Sequence, residues 1–281
     1  MVANISGLNL HFEKYFNSSG KSNTSEGDLK NVLFIHGFTG SSHDWENIIV
    51  RLPENINYYA IDLIGHGDSD SPDKEELYHA DSLVNQLKEF ALKVINEKFI
   101  LIGYSIGGRA ALSYSVKYPE MIEGLILESS TAGIKDENER KERIKKDEEI
   151  ADYLLNHSIE EFIDYWMDMD IFNTQKRFAN SKLEEIKNSK LNNSKTGLSN
   201  FLRGFGTGQM PPLYDQLKNI KTGTLLITGD LDEKFRLINN EMVSLFPSAE
   251  HVSIKNSGHN THLETPDAFV KTVSSFLMKF N

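Results

Sequence analysis

The sequence predicts an α/β fold with a mostly parallel sheet, helices on both sides of it and one helical lid insertion. Three observations lead there: short apolar runs recur, helical segments separate several of them, and the rhythm breaks once, over residues 132–212. The runs are Val32-Leu33-Phe34-Ile35, Tyr58-Tyr59-Ala60-Ile61, Phe99-Ile100-Leu101-Ile102, Gly124-Leu125-Ile126-Leu127 and Thr224-Leu225-Leu226-Ile227. None alternates polar with apolar residues, as expected of strands covered on both faces. Helical segments such as His79 to Asn96 and Gly107 to Lys117 then serve as crossovers between parallel strands.

Taken in order, the chain begins with a mixed, strand-like stretch from Met1 to Phe12. It lacks the basic and then apolar order of a secretory signal, so a cytoplasmic location is expected. Strands near Gly7 to Phe16 and Asn31 to Ile35 flank Asn17 to Asp28, whose Ser, Gly and Asn content reads as an exposed loop. Residues 1–131 and 213–281 form the expected core. Between them, residues 132–212 are charged and helical, hold no convincing buried strand and end at Pro211-Pro212. Such an insertion reads as a lid over the carboxyl ends of the strands, where ligands of parallel sheets bind. A chain of 281 residues suits one core with an insertion.

Composition narrows the function classes. A net charge of −11 argues against general binding to nucleic acid or anionic membrane. No apolar run approaches the ~20 residues of a membrane span. The absence of cysteine removes disulfides, thiolate chemistry and Cys-ligated zinc.

Four segments carry chemistry. Gly103-Tyr104-Ser105-Ile106-Gly107 follows an apolar strand and precedes a helix. In that setting G-x-S-x-G forces a sharp turn that exposes the hydroxyl, with the helix N-terminus behind it. His36-Gly37-Phe38-Thr39-Gly40 also follows a strand, and its loop can aim the Phe38 N–H at the site, with the Ile106 N–H as partner in an oxyanion hole. His36 itself is expected to hold the loop. Ser257-Gly258-His259 supplies a general base. His262 competes, but Gly258 keeps His259 on the loop, while His262 begins the final helix and packs there. Asp230 and Asp232 both close a strand; Asp232, further into the loop, is favoured to reach the imidazole. The order Ser, Asp, His along the chain suits this assignment. The cluster from Asp62 to Ser69 reads as a glycine turn whose side chains bond loop backbone.

These residues resemble the α/β-hydrolase superfamily over essentially the whole chain. A narrower resemblance rests on Gly103 to Arg109, Glu128-Ser129-Ser130-Thr131-Ala132-Gly133, Glu139 to Arg143 with Asp147, and Leu202 to Gly208. These segments are similar to the 2-succinyl-6-hydroxy-2,4-cyclohexadiene-1-carboxylate synthases, the MenH family of menaquinone biosynthesis. Its members expel pyruvate from a cyclohexene bearing several carboxylates, a lyase reaction on a hydrolase scaffold. The resemblance implies a polycarboxylate substrate, contacted by Tyr104, Arg143 and Trp166. A further family arginine falls on Lys190, which keeps the charge but loses the bidentate fork. No metal or organic cofactor is implied.

Arginine is scarce here, seven residues against 23 lysines, so its placement is informative. Arg109 lies one helical turn past Ser105, where it fits a carboxylate better than an apolar ester. The insertion holds 13 basic and 15 acidic side chains, so any anion site must come from the few cations that point inward. Two other readings share the scaffold: a carboxylesterase or carbon–carbon hydrolase using Ser105 as nucleophile, and a small-molecule receptor that binds without turnover.

Overall fold

The computed structural model describes residues 1–16 and 29–280; the loop expected at Asn17 to Asp28 lies outside them. Eight strands form one sheet: β1 Val2–Ile5, β2 Leu8–Phe16, β3 Lys30–Ile35, β4 Ile56–Ile61, β5 Phe99–Tyr104, β6 Ile122–Glu128, β7 Gly223–Gly229 and β8 Ala249–Ile254. Their order is β1-β2-β4-β3-β5-β6-β7-β8, parallel from β4 to β8, with β2 antiparallel to both its neighbours. Each of the five apolar runs lies inside one parallel strand.

The strands are apolar throughout because both faces are covered. Leu33, Ile35, Leu101, Leu125, Leu127 and Leu226 join one buried cluster, with residues of α2 (Ala80–Phe90), α3 (Ile106–Lys117) and α8 (Glu233–Val243). Their strand neighbours Val32, Phe34, Ile100, Ile102, Ile126 and Leu225 face the other way. There they meet Ile48 and Ile49 of α1 (Glu46–Ile49) and Phe269, Val273 and Phe276 of α10 (Pro266–Leu277). Two-residue alternation thus feeds two cores, not one core and solvent.

The N-terminal stretch was legible only as strand-like. It is a hairpin whose two-residue turn, Ser6 (φ 51°) and Gly7 (φ 85°), has both residues at positive φ. That geometry matches the twist of paired strands, and glycine adopts it without steric cost.

Between β6 and β7 the described chain is helical: α4 Glu137–Asn156, α5 Ile159–Met167, a 3-10 segment Asp170–Arg177, α6 Asn180–Lys190 and α7 Lys195–Phe205. Asp136 caps α4, accepting the Asn138 and Glu139 amides at 2.9 Å each. Ser158 and Glu161 form a reciprocal capping box on α5. Leu213 N–H donates to Ala132 O at 2.8 Å, closing the neck where this segment leaves and rejoins the sheet layers. Leu154, Phe162, Ile163 and Leu198 give it a small core of its own, with Phe38 packed against it. Gly197 and Gly65 meet backbone to backbone, a contact that a Cβ on either would obstruct.

Candidate active site

Ser105 sits between β5 and α3 with φ 50° and ψ −108°, a conformation that costs a residue with a Cβ free energy. The surroundings hold it. Its N–H donates to Glu128 O (2.8 Å), and its carbonyl accepts the Ser130 hydroxyl (3.1 Å) and the Arg109 N–H (3.0 Å). The flanking glycines are steric necessities. A Cβ on Gly103 would strike the Gly107 backbone, and one on Gly107 would strike the carbonyls of Ile35 and His36. The two motifs found separately in sequence are therefore pressed together.

His259 Nε2 lies 3.1 Å from Ser105 Oγ, and its Nδ1 lies 2.7 Å from Asp232 Oδ2. A carboxylate at Nδ1 requires the N–H there, leaving Nε2 to accept from the serine. Asp232 also caps α8 through Phe235 N–H (3.2 Å), which fixes its rotamer. The aromatic rings of Phe235, Tyr104 and Phe172 surround the imidazole at centroid distances of 4.5, 5.5 and 6.3 Å. The alternatives fall elsewhere. Asp230 turns away and accepts the Ser257 N–H, while His262 is buried on the short helix α9 (Thr261–Glu264), Nδ1 2.7 Å from Glu128 Oε2.

Phe38 and Ile106 both line the cavity at Ser105, and among the described residues neither backbone N–H has an acceptor in the protein. The loop that carries Phe38 is held by His36: Nδ1–H donates to Gly37 O (2.7 Å) and Nε2 accepts the Leu63 N–H (3.0 Å). Asp62 performs the analogous task one turn on, accepting the amides of Ser42 (2.5 Å) and Asp68 (2.9 Å).

Burial pushes the pKa of His36 down and that of the neighbouring His66 well down. Both are then neutral when folded but take up protons when unfolded, near the ordinary pKa of about 6.5. Stability is therefore full above that value and falls as the pH drops through it. Thermal midpoints measured from pH 7.5 to 5.5 should decline, and His66→Phe should flatten the decline. A midpoint independent of pH over that range would contradict it.

The cavity has a volume of about 900 Å³ and is walled on one side by the insertion; Ser105, His259, Arg109, Arg143 and Trp166 all line it. Arg109 is 6% exposed. Its Nη1 donates to Phe205 O (2.8 Å), and no carboxylate lies within ion-pair distance among the described residues. Burial, reinforced by Arg143, lowers its pKa to about 9, so it stays charged at neutral pH. Arg143, half-buried, is already paired, Nε to Asp147 Oδ1 at 2.8 Å. Trp166 packs on Phe38 at 4.9 Å between ring centroids, serving the insertion's core and the cavity wall together.

Tyr104 and Lys190 depart from the sequence expectation. They line a separate cavity of about 40 Å³, on the far side of Phe38 and Trp166. Alternation along β5 is the reason for Tyr104: its ring follows Ile100 and Ile102 to the face opposite Leu101. Sequence reasoning missed Lys146 and Lys234, which line the large cavity without an ion-pair partner among the described residues. Burial lowers the Lys234 pKa, and Arg143 adds to the shift. Its position two residues past Asp232 was the available signal.

A family model for the α/β-hydrolase fold matches residues 30–266. A Bacillus subtilis protein provisionally named 2-succinyl-6-hydroxy-2,4-cyclohexadiene-1-carboxylate synthase is 40% identical, over 88% of this chain and 89% of its own. MenH from S. aureus superposes with a TM-score of 0.89 at 33% identity, covering 96% of this chain and 98% of that one. The chain belongs to the MenH family of the α/β-hydrolase fold. An Enterobacter synthase of the same name is 28% identical over 92% of this chain and 96% of its own. A Thermogutta terrifontis esterase reaches a TM-score of 0.84 at only 19% identity, a likeness of fold alone.

Proposed function

We propose that this MenH-family enzyme is 2-succinyl-6-hydroxy-2,4-cyclohexadiene-1-carboxylate synthase, a carbon–oxygen lyase of menaquinone biosynthesis. It would eliminate pyruvate from 5-enolpyruvoyl-6-hydroxy-2-succinyl-cyclohex-3-ene-1-carboxylate. The observation that carries this reading, beyond the family, is the buried charge of Arg109. An uncompensated guanidinium costs several kcal/mol to hold out of water. Placed one turn from Ser105 at an open cavity, it is matched when a carboxylate binds. Lys146, Lys234 and the paired Arg143 line the same space, which suits a substrate with more than one carboxylate.

In this mechanism Asp232 orients His259, which draws the proton from Ser105. The serine oxygen then takes a proton from the substrate ring and forms no acyl-enzyme. The electron pair moves through the conjugated system, the carbon–oxygen bond to the enolpyruvoyl group breaks, and the departing enolate gains a proton to become pyruvate. The Phe38 and Ile106 amides meet negative charge as it develops, each worth about 2.7–4 kcal/mol in comparable sites. The insertion acts as a lid, excluding water from the charged intermediate state. The residues assigned here are Ser105, His259 and Asp232 for proton movement and Arg109, Arg143 and Trp166 for the substrate.

Incubating the purified protein with the precursor and following pyruvate tests the assignment. Release that saturates with substrate is expected. No pyruvate at micromolar enzyme, together with rapid turnover of simple aryl esters, would transfer the triad to the esterase reading.

A further inference from the structure

The sheet ends at β1 on one side and at β8 on the other, and the two edges are finished differently. β1 is only four residues long, and Lys93 Nζ donates to its Asn4 carbonyl at 3.0 Å. At β8 the edge is open. Thr224 N–H donates to Ser248 O and Asp230 N–H to Ile254 O, each at 2.9 Å, so the even-numbered residues of β8 turn their backbone toward β7. In a parallel pair the residues between them turn theirs the other way. The backbone N–H and C=O groups of Ala249, His251 and Ser253 therefore point outward, and none has a partner on that side among the described residues.

Beside this edge lies a groove of about 420 Å³, lined by both β8 and α10. Val252, Ile254 and Phe276 give it apolar surface, and Lys255, Lys271 and Lys279 stand around it. A strand laid outside β8 would turn every second side chain toward this groove. The groove shares no lining residue with the cavity at Ser105. Its charge runs against that of the chain, whose net charge is −11. Lys279 is paired with Glu250. Lys255 and Lys271, both exposed, have no ion-pair partner among the described residues.

We propose that the β8 edge and this groove dock an extended acidic segment of another protein, added to the sheet as one more strand. The outward backbone groups of Ala249, His251 and Ser253 supply the ladder, and apolar side chains at alternate positions of the guest fill the groove. Carboxylates of the guest offset Lys255 and Lys271. A second copy of this chain fits badly, because pairing β8 with itself sets the same lysines on both sides, like charge against like. Lysine at an open edge discourages self-association; here the same charge selects the partner. The lysines are exposed, so docking weakens as salt rises.

The test titrates the full-length protein into a fluorescein-labelled peptide of sequence Glu-Val-Glu-Val-Glu-Val at low salt. A Lys-Val analogue and a copy with a central proline serve as controls. Saturable binding of the acidic peptide is expected, with both controls weaker by about 10-fold or more. Combining Lys255→Glu with Lys271→Glu, both at exposed positions, should weaken the acidic peptide by a similar factor. Amide hydrogen exchange reads the geometry: the peptide should slow Ala249, His251 and Ser253 and leave Glu250 and Val252, already paired with β7, unchanged. No saturable binding at millimolar protein would overturn the proposal. So would binding that ignores the charge reversal or leaves the outward amides unprotected. A dimer in analytical ultracentrifugation that protects those amides would overturn it in favour of a second copy. None of these readings depends on pyruvate release, so the proposed reaction and this surface stand or fall separately.

Discussion

His259→Ala is expected to lower kcat for pyruvate release by about six orders of magnitude, with KM little changed. The reasoning is geometric. His259 Nε2 is the acceptor for the Ser105 hydroxyl at 3.1 Å, and among the described residues no other side chain accepts from that hydroxyl. Ser105→Ala should cost about as much, and the double variant no more than either single one, because the two side chains act as a unit. Asp232→Asn should cost about four orders, since an amide can hold the ring in the wrong tautomer. His262→Ala makes the contrast. It strips a buried partner from Glu128 and should lower the thermal midpoint far more than kcat of the folded enzyme. Steady-state kinetics on the precursor decide the matter; His259→Ala retaining a tenth of the wild-type rate would remove the imidazole from the mechanism.

Arg109→Met should reduce kcat/KM for the precursor by about 2–5 kcal/mol, roughly 30- to 5,000-fold, while the fold becomes no less stable. Two opposing terms set the stability. Relieving a buried, unpaired guanidinium recovers several kcal/mol of desolvation. Leaving the Phe205 carbonyl without its donor costs about 1–3 kcal/mol. Methionine fills similar volume against the Phe205 ring, over which the guanidinium now lies at 5.2 Å. A thermal midpoint at or above that of the wild type, combined with lost activity, is the signature of a charge kept for a ligand. A large fall in the midpoint would mean instead that Arg109 is a structural strut, and the carboxylate argument would lose its base. Arg109→Lys should recover only part of the activity, because one ammonium cannot match the two-oxygen contact.

The site was legible to different depths at different residues. Ser105 stood out because its glycines answer a local demand, and the steric contacts at Gly103 and Gly107 bear that out. Choosing Asp232 over Asp230 needed only loop position, and the structure brings Asp232 to His259. Tyr104 and Lys190 were less accessible. Adjacency to Ser105 in the chain said nothing about which face of β5 the tyrosine ring would take, and a family position cannot tell which of two cavities Lys190 lines. Glu264 and Arg177 lie 87 positions apart and carry no motif, so their pairing was invisible until the insertion was folded.

By itself, the sequence determined what depends on neighbours along the chain. Doubly covered strands follow from unbroken apolar runs, the sharp turn at Ser105 from its glycines, and the break in rhythm from polar helical periodicity. Only the tertiary structure decided what depends on distance through space. It brought His259 to Ser105 across 154 positions, left Arg109 without a paired carboxylate among the described residues, and set Glu264 between the insertion and the loop that carries His259. The physical reason is that periodicity and turn sterics act over a few residues. The environment of a buried charge is set by whichever distant segments pack around it.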